Sequence, residues 1–526
     1  MSTIGPWQLG AQAGDVAGQR RLNSTSWMFA YAACLGLTLV LGLISYGSAH
    51  QLFAPAAVVV LLGMVVCVTR PVWGVYFTVA ITMLGDVSIF PSYPFIKNLS
   101  SPESILYLGE GLPVSPLELF LLSLVFGWVI KMLATRTWTV YRGRLFIPIL
   151  VFTGFLLIGL AWGVGRGGAP AVAYWEIRAV LYLPVLFVLV TNLLERPEQY
   201  RRLLWLVMVT VTLNALFALN EYSSLTLVER EALESLGEHG AAVHAAALIV
   251  FTVAMWLFRR RGTSGRWLLL LMAVPVTWAF LLSERRAAMV ALFAGVGLVV
   301  AVLRWHHRLR FRVVLPVLVL ALTAYLGAFW NASGVPGFPA TAVKSVVAPD
   351  QQSEEDQASD DYRDIERHDI VTTIRSNPVM GVGFGQRFLM PWPLPNISFF
   401  VFWEYITHNS ILWIWMKAGI GGFVAMLLVF ATALRTGARA LLSAKDDVTR
   451  AVTVTSVAYV VMFAIFAYVD IAWDTRNVVL LAVCMAQIDR AVGSRKDKSP
   501  EPPLVPRERR GVRPRETAQP AAVAAG

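Results

Sequence analysis

Runs of about 20 apolar residues, each long enough to cross the roughly 30 Å hydrocarbon core of a bilayer as a helix, recur along most of the chain. No other feature restricts the fold as strongly. Lipid offers no hydrogen bonds to the backbone, so a chain of such runs folds as transmembrane helices. The length rule gives about fourteen candidate spans. They are centred near Leu37, Leu61, Val79, Leu124, Phe155, Leu186, Val211, Val250, Ala273, Gly297, Leu318, Met426, Met462 and Val483. The expected class is therefore an all-α polytopic transmembrane protein. Composition agrees: 57% of residues are hydrophobic and 15% charged, against roughly 45–50% and about 25% in soluble domains.

The spans divide the chain. Residues 1–25 read as a cytoplasmic N-terminal segment, and 26–330 hold roughly the first eleven spans. Residues 331–408 form one large periplasmic loop, with an acidic, solvated stretch at 350–361 and a short helix at 362–376. Asn377-Pro378 ends that helix, because the residue before proline avoids the helical region. Residues 409–492 hold the remaining roughly three spans. The Pro-, Arg- and Ala-rich tail, 493–526, has no apolar periodicity and reads as a disordered, basic, cytoplasmic segment.

Orientation follows from the basic residues. Alternate connections, at 131–144, 196–202, 259–266, 304–312 and 435–450, are rich in Lys and Arg, and the tail falls on the same side. The positive-inside rule puts these connections and both termini in the cytoplasm. The net charge of +11 is this clustering, so it does not indicate nucleic acid. The first apolar run is long enough to span and reads as uncleaved. Cys34, Cys67 and Cys484 each lie in apolar runs, which excludes a disulfide framework or a cysteine-rich metal site.

Three features fall on the outer face of this topology. The first is Ser283-Glu284-Arg285-Arg286, between the spans near Ala273 and Gly297. Arginines on the side that should lack them either snorkel to headgroups or bridge to Glu284, or they bind an anion, since guanidinium forks match phosphate oxygens. The second is Arg363 with Arg367 four residues on, for which Asp361, Asp364 and Glu366 offer ordinary helix-surface partners. The third is His408-Asn409-Ser410, followed by Gly419, Gly421 and Gly422. A histidine here is either an interfacial polar residue or a proton acceptor with a near-neutral pKa. Asp470 and Asp474 flank the last external turn, where packing or a pair with Arg476 is the plainer role. There is no P-loop, HExxH, paired CxxC or serine-nucleophile elbow.

Taken together, these features resemble the bacterial O-antigen ligase and O-antigen polymerase family of membrane glycan transferases, whose architecture is of the GT-C type. The ligase signature, His then Asn, Ser or Gln and a later Gly, is met by His408, Asn409 and Gly419. The family's Arg-led helix, Asn-Pro and Gly-x-Gly-x-Gly are met by Arg363, Asn377-Pro378, and Gly381, Gly383 and Gly385. Its Ser-Arg-x-Ala pattern resembles Arg285-Arg286-Ala287-Ala288, with Arg285 in place of serine. The similarity covers roughly residues 241–489.

The resemblance implies a glycan donor on undecaprenyl diphosphate and an acceptor hydroxyl on lipid A core, a glycan or another glycoconjugate. Transfer would invert the sugar and use no cofactor or metal. Arg286 and Arg363 would stabilise the diphosphate, and His408 would act as general base. Arg285, Arg178, Asn409 and Arg367 would line the substrate site, with Glu176 as a possible neutraliser of Arg178. Ligase and polymerase share these motifs. A flippase or other transporter also fits many spans with intramembrane charge, but that architecture brings internal repeats, and none is evident.

Overall fold

The computed structural model describes residues 52–231, 236–258, 265–332, 334–395, 401–444 and 446–493. The N-terminal segment, the expected span near Leu37, the basic cluster 259–261 and the tail from 494 lie outside the described residues.

Among the described residues the regular structure is entirely helical. The chain begins with α1 (Phe53–Thr69), α2 (Pro71–Leu84), α3 (Pro116–Thr135), α4 (Phe146–Gly165), α5 (Pro170–Leu193) and α6 (Pro197–Ser224). It continues with the short α7 (Leu227–Glu231), then α8 (His239–Phe258), α9 (Gly265–Leu282), α10 (Arg286–His306) and α11 (Arg308–Phe329). After α12 (Gly334–Val347) and α13 (Glu354–Ser376) come α14 (Ser410–Ser443), α15 (Asp447–Val469) and α16 (Thr475–Gly493). Nine of the described helices are long and apolar enough to cross a bilayer, and α1, α2 and most of α9 are shorter apolar helices. The chain is thus a polytopic membrane protein, and each expected centre from Leu61 onward falls inside a helix. The short α1 and α2 are separated by Arg70-Pro71, where proline opens the second helix because its missing N–H would be unpaired there anyway.

Burial sorts the helices. The middle of α16 is buried from Val478 to Ile488, and α8 and α15 are mostly buried, so other helices shield them from lipid. No residue of α11 is buried, and most of its apolar side chains face outward, while Phe311 and Val314 pack partly against the core.

The region 331–408 is more ordered than its composition suggests. The acidic stretch is solvated, with most of its residues exposed, but it is not irregular. It forms the first turns of α13, which starts at Glu354 rather than near Tyr362. The Ser353 side chain accepts a bond from the Asp356 N–H at 3.2 Å, and Glu354, Glu355 and Asp356 occupy the first turn. Acidic side chains there complement the unpaired N–H groups and the helix dipole. The helix ends at Ser376, with Asn377 as its cap before Pro378.

The glycine loop docks into a break in a membrane helix. Gly419 leaves helical geometry inside α14, at φ 68° and ψ −176°. Val382 N–H then donates to the carbonyl of Met416 at 2.8 Å, and Ile420 N–H reaches the carbonyl of Pro378 at 3.2 Å. Gly381, Gly383 and Gly385 all have positive φ. A Cβ on Gly383 would run into the Gly163 backbone, and one on Gly419 into the Val379 carbonyl. Beneath the loop, Lys417 Nζ lies 2.7 Å from Glu176 Oε1, with both side chains 0% exposed. Glu176 Oε2 accepts the Gly385 N–H, and Lys417 donates to the Gln386 carbonyl, each at 2.5 Å. Irregular backbone within a membrane bundle survives only where protein supplies its hydrogen bonds. This buried pair supplies two of them, and neighbouring backbone supplies others.

Candidate functional site

The start of α10, the face of α13 that carries Asp360 and Glu366, the start of α14 and the turn between α15 and α16 meet at one end of the bundle. Glu284 adopts a left-handed conformation, φ 49°, and Arg285 follows as the N-cap of α10. Arg286, the first residue of that helix, then reaches α13. At α14, Asn409 is the N-cap, with Oδ1 accepting the Leu412 N–H at 2.9 Å. The neighbouring Ser410 hydroxyl donates to the Asp470 carbonyl at 2.9 Å and accepts the Ala472 N–H at 2.8 Å. This fastens the start of α14, and His408 with it, to the last turn.

Arg286 is held by a fork. Its Nη1 and Nη2 donate to Asp360 Oδ2 and Oδ1 at 3.0 and 2.9 Å, and Nη1 also donates to Gln352 at 2.6 Å. Asp356 lies 3.4 Å from its Nε. Arg363 Nη1 donates to the same Asp360 Oδ1 at 3.1 Å. Two arginines from distant segments therefore converge on one carboxylate, which for Arg363 is a partner three residues earlier on its own helix and for Arg286 comes from a distant part of the chain. Glu284 is not the partner of Arg286, and Asp361, Asp364 and Glu366 are not those of Arg363.

His408 is held by Glu366. Its backbone N–H donates to Glu366 Oε2 at 2.9 Å, and its Nδ1 lies 3.1 Å from Oε1. Glu366 is 3% exposed and the histidine 23%. Tyr362 meets the imidazole edge-on, ring centroids 5.5 Å apart. Burial pulls the imidazole pKa down, but the Glu366 hydrogen bond and charge, with Asp470, outweigh it. The Arg363 charge opposes them, and the net result lies above the ordinary histidine value. Burial likewise raises Asp470, yet the His239 hydrogen bond at 2.9 Å and the charges of His239, Arg285 and His408 bring it down to about 2.

The other expected site residues divide. Arg285 joins the cluster through its charge on Asp470. Asn409 is engaged as a cap, and Arg367 pairs with Asp364 at 2.9 Å on an exposed face, 52% accessible. Arg178 sits in a separate buried network, 2.6 Å from Glu118 and bonded to Tyr182 and Asn98. Glu176 does not neutralise it, being turned to Lys417. Arg476 pairs with Asp86 and Glu238, at 2.9 and 2.8 Å, and Asp474 caps α16 by accepting the Asn477 N–H at 2.8 Å. Burial raises Asp474 to about 7 despite that bond.

Asp356, Asp360 and Gln352 were not expected in the site, and Glu366 was expected only as an ordinary partner of Arg363. Glu366 had a readable signal. It shares a helix face with Ile370, Thr373 and Ile374, all buried. A carboxylate at a buried-face position needs a partner.

Fold and site together define a multi-pass membrane protein that gathers paired arginines and a carboxylate-held histidine at one end of its bundle. The family model described as O-antigen ligase matches residues 271–427. The matched segment contains Arg285, Arg286, Arg363, His408 and Gly419 and excludes Arg178 and Asp470. That family implies lipid-linked glycan ligation or polymerisation in general terms. No curated protein matches the chain.

Proposed function

We propose that this protein transfers a glycan from undecaprenyl diphosphate to an acceptor hydroxyl at the periplasmic face of the bacterial inner membrane, as an O-antigen ligase does. The carrying observation is the convergence of Arg286 and Arg363 on Asp360, beside the Glu366-held His408. A fork that grips a carboxylate in two parallel bonds has the geometry to grip a phosphate. In the reaction, diphosphate oxygens replace Asp360 between the arginines. The acceptor oxygen bonds to the anomeric carbon as the carbon–oxygen bond to diphosphate breaks with inversion. The electron pair leaves with the diphosphate, where the arginines offset the growing charge. His408 takes the acceptor proton. This chemistry needs neither nucleotide sugar nor metal.

Polymerisation of repeat units uses the same steps with a different acceptor. The surface glycan of a deletion strain separates the two. Ligation requires that lipid-linked polymer accumulates unattached when the gene is removed. Surface molecules bearing a single repeat would identify a polymerase instead, and an unchanged surface glycan would remove both readings.

A further inference from the structure

Glu366 is a buried carboxylate, 3% exposed, in contact with the site, and it makes no ion pair with an arginine or lysine among the described residues. Its two oxygens are divided between two groups of one residue, the backbone N–H and the Nδ1 of His408. A carboxylate can only accept hydrogen bonds, so the Nδ1 facing it carries the proton. In the neutral ring that leaves Nε2 with the lone pair. The ring is further fixed by Tyr362, whose edge meets the imidazole and whose hydroxyl lies 3.5 Å from Glu366 Oε1.

We infer that Glu366 is the positioning residue for His408, setting its tautomer and orientation so that Nε2 accepts the acceptor proton, and stabilising the imidazolium that results. The inference rests on the transfer reaction proposed above. When the acceptor O–H bond breaks, its proton goes to Nε2, while the Nδ1–H stays donated to Glu366. Glu366 itself takes no proton. Its role resembles that of a buried carboxylate in a nucleophile–histidine–acid triad, where the acid orients the base without being protonated. The charged groups acting on the ring are Glu366 and Arg363 from α13 and Asp470 from the α15–α16 turn. Glu366 alone among them is hydrogen-bonded to His408.

The test uses full-length protein in detergent, with undecaprenyl-diphosphate glycan and acceptor, and follows initial rate against pH. A base works only when unprotonated, so the wild-type rate climbs as pH rises through the elevated His408 value. In Glu366→Gln the favourable charge is gone. The climb should move to lower pH by about 1 unit or more, and the plateau kcat should fall by about 10²-fold, with donor affinity kept. Glu366→Asp should lie between the two. A limb that stays at the wild-type pH in both variants overturns the assignment, whatever happens to the plateau. Should Glu366→Gln not fold, Glu366→Asp decides by the same limb. The ¹⁵N-histidine spectrum, with His408 assigned by its loss in His408→Gln, reads the ring without catalysis. Wild-type signals of a protonated Nδ1 and bare Nε2 are expected, with a midpoint that falls in Glu366→Gln. If transfer were absent while this spectrum held, the proposed function would fail and the Glu366–His408 coupling would stand. The opposite tautomer would overturn the coupling alone.

Discussion

At the scale of single residues, Arg285 and Arg286 stand out in the sequence because charge on the sparse outer face breaks the basic-loop rule, whereas Arg363 and His408 stand out through the motifs they belong to. Their partners do not stand out. Asp356 and Asp360 lie in an acidic run that composition alone makes a solvated stretch, and only a fold that lays α13 beside the start of α10 turns them toward Arg286. Asn409 shows a different case, since a residue that fits a motif also caps its helix. The shared carboxylate has a consequence. In the proposed reaction diphosphate displaces Asp360, which is 41% exposed. Asp360→Asn should therefore tighten donor binding by up to about fivefold, the equivalent of the roughly 1 kcal/mol that a partly exposed pair is worth. Thermophoresis with a labelled lipid diphosphate measures it. Equal or weaker binding would show that Asp360 helps to build the site instead of occupying it.

At the scale of elements, helical periodicity and hydropathy place the spans well because they depend on local sequence. The break in α14 does not follow from them. Gly419 sits in an apolar run that reads as an unbroken helix, and its left-handed geometry follows from a loop more than thirty positions earlier in the chain, Gly381 to Gly385, docking against it. Lys417 and Glu176 secure that docking in a fully buried pair. Breaking such a pair on one side leaves an uncompensated charge and typically costs about 3–5 kcal/mol, whereas replacing both partners costs far less. Lys417→Met and Glu176→Gln should each lower the melting temperature in detergent strongly, and the double variant should recover much of the loss. Additive losses in the double variant would mean that the two side chains act independently.

At the scale of the whole molecule, the alternation of basic and neutral connections predicts that Ser353 lies outside and the tail, at Pro500, in the cytoplasm. Paired reporter fusions at those positions check it. A cytoplasmic signal at Ser353 would put the arginines and His408 on the wrong side of the membrane for a donor presented outside. The proposed function gives each part a distinct role: arginines for the diphosphate, His408 for the proton, and the glycine loop for rigidity. The variant that separates binding from chemistry is therefore the most direct test. His408→Ala should bind undecaprenyl-diphosphate glycan as the wild type does, yet transfer it about 10²–10⁴-fold more slowly, with wild-type transfer undiminished by a chelator. Full transfer by His408→Ala, or a strict requirement for a divalent metal, would contradict a metal-independent transfer with His408 as its base.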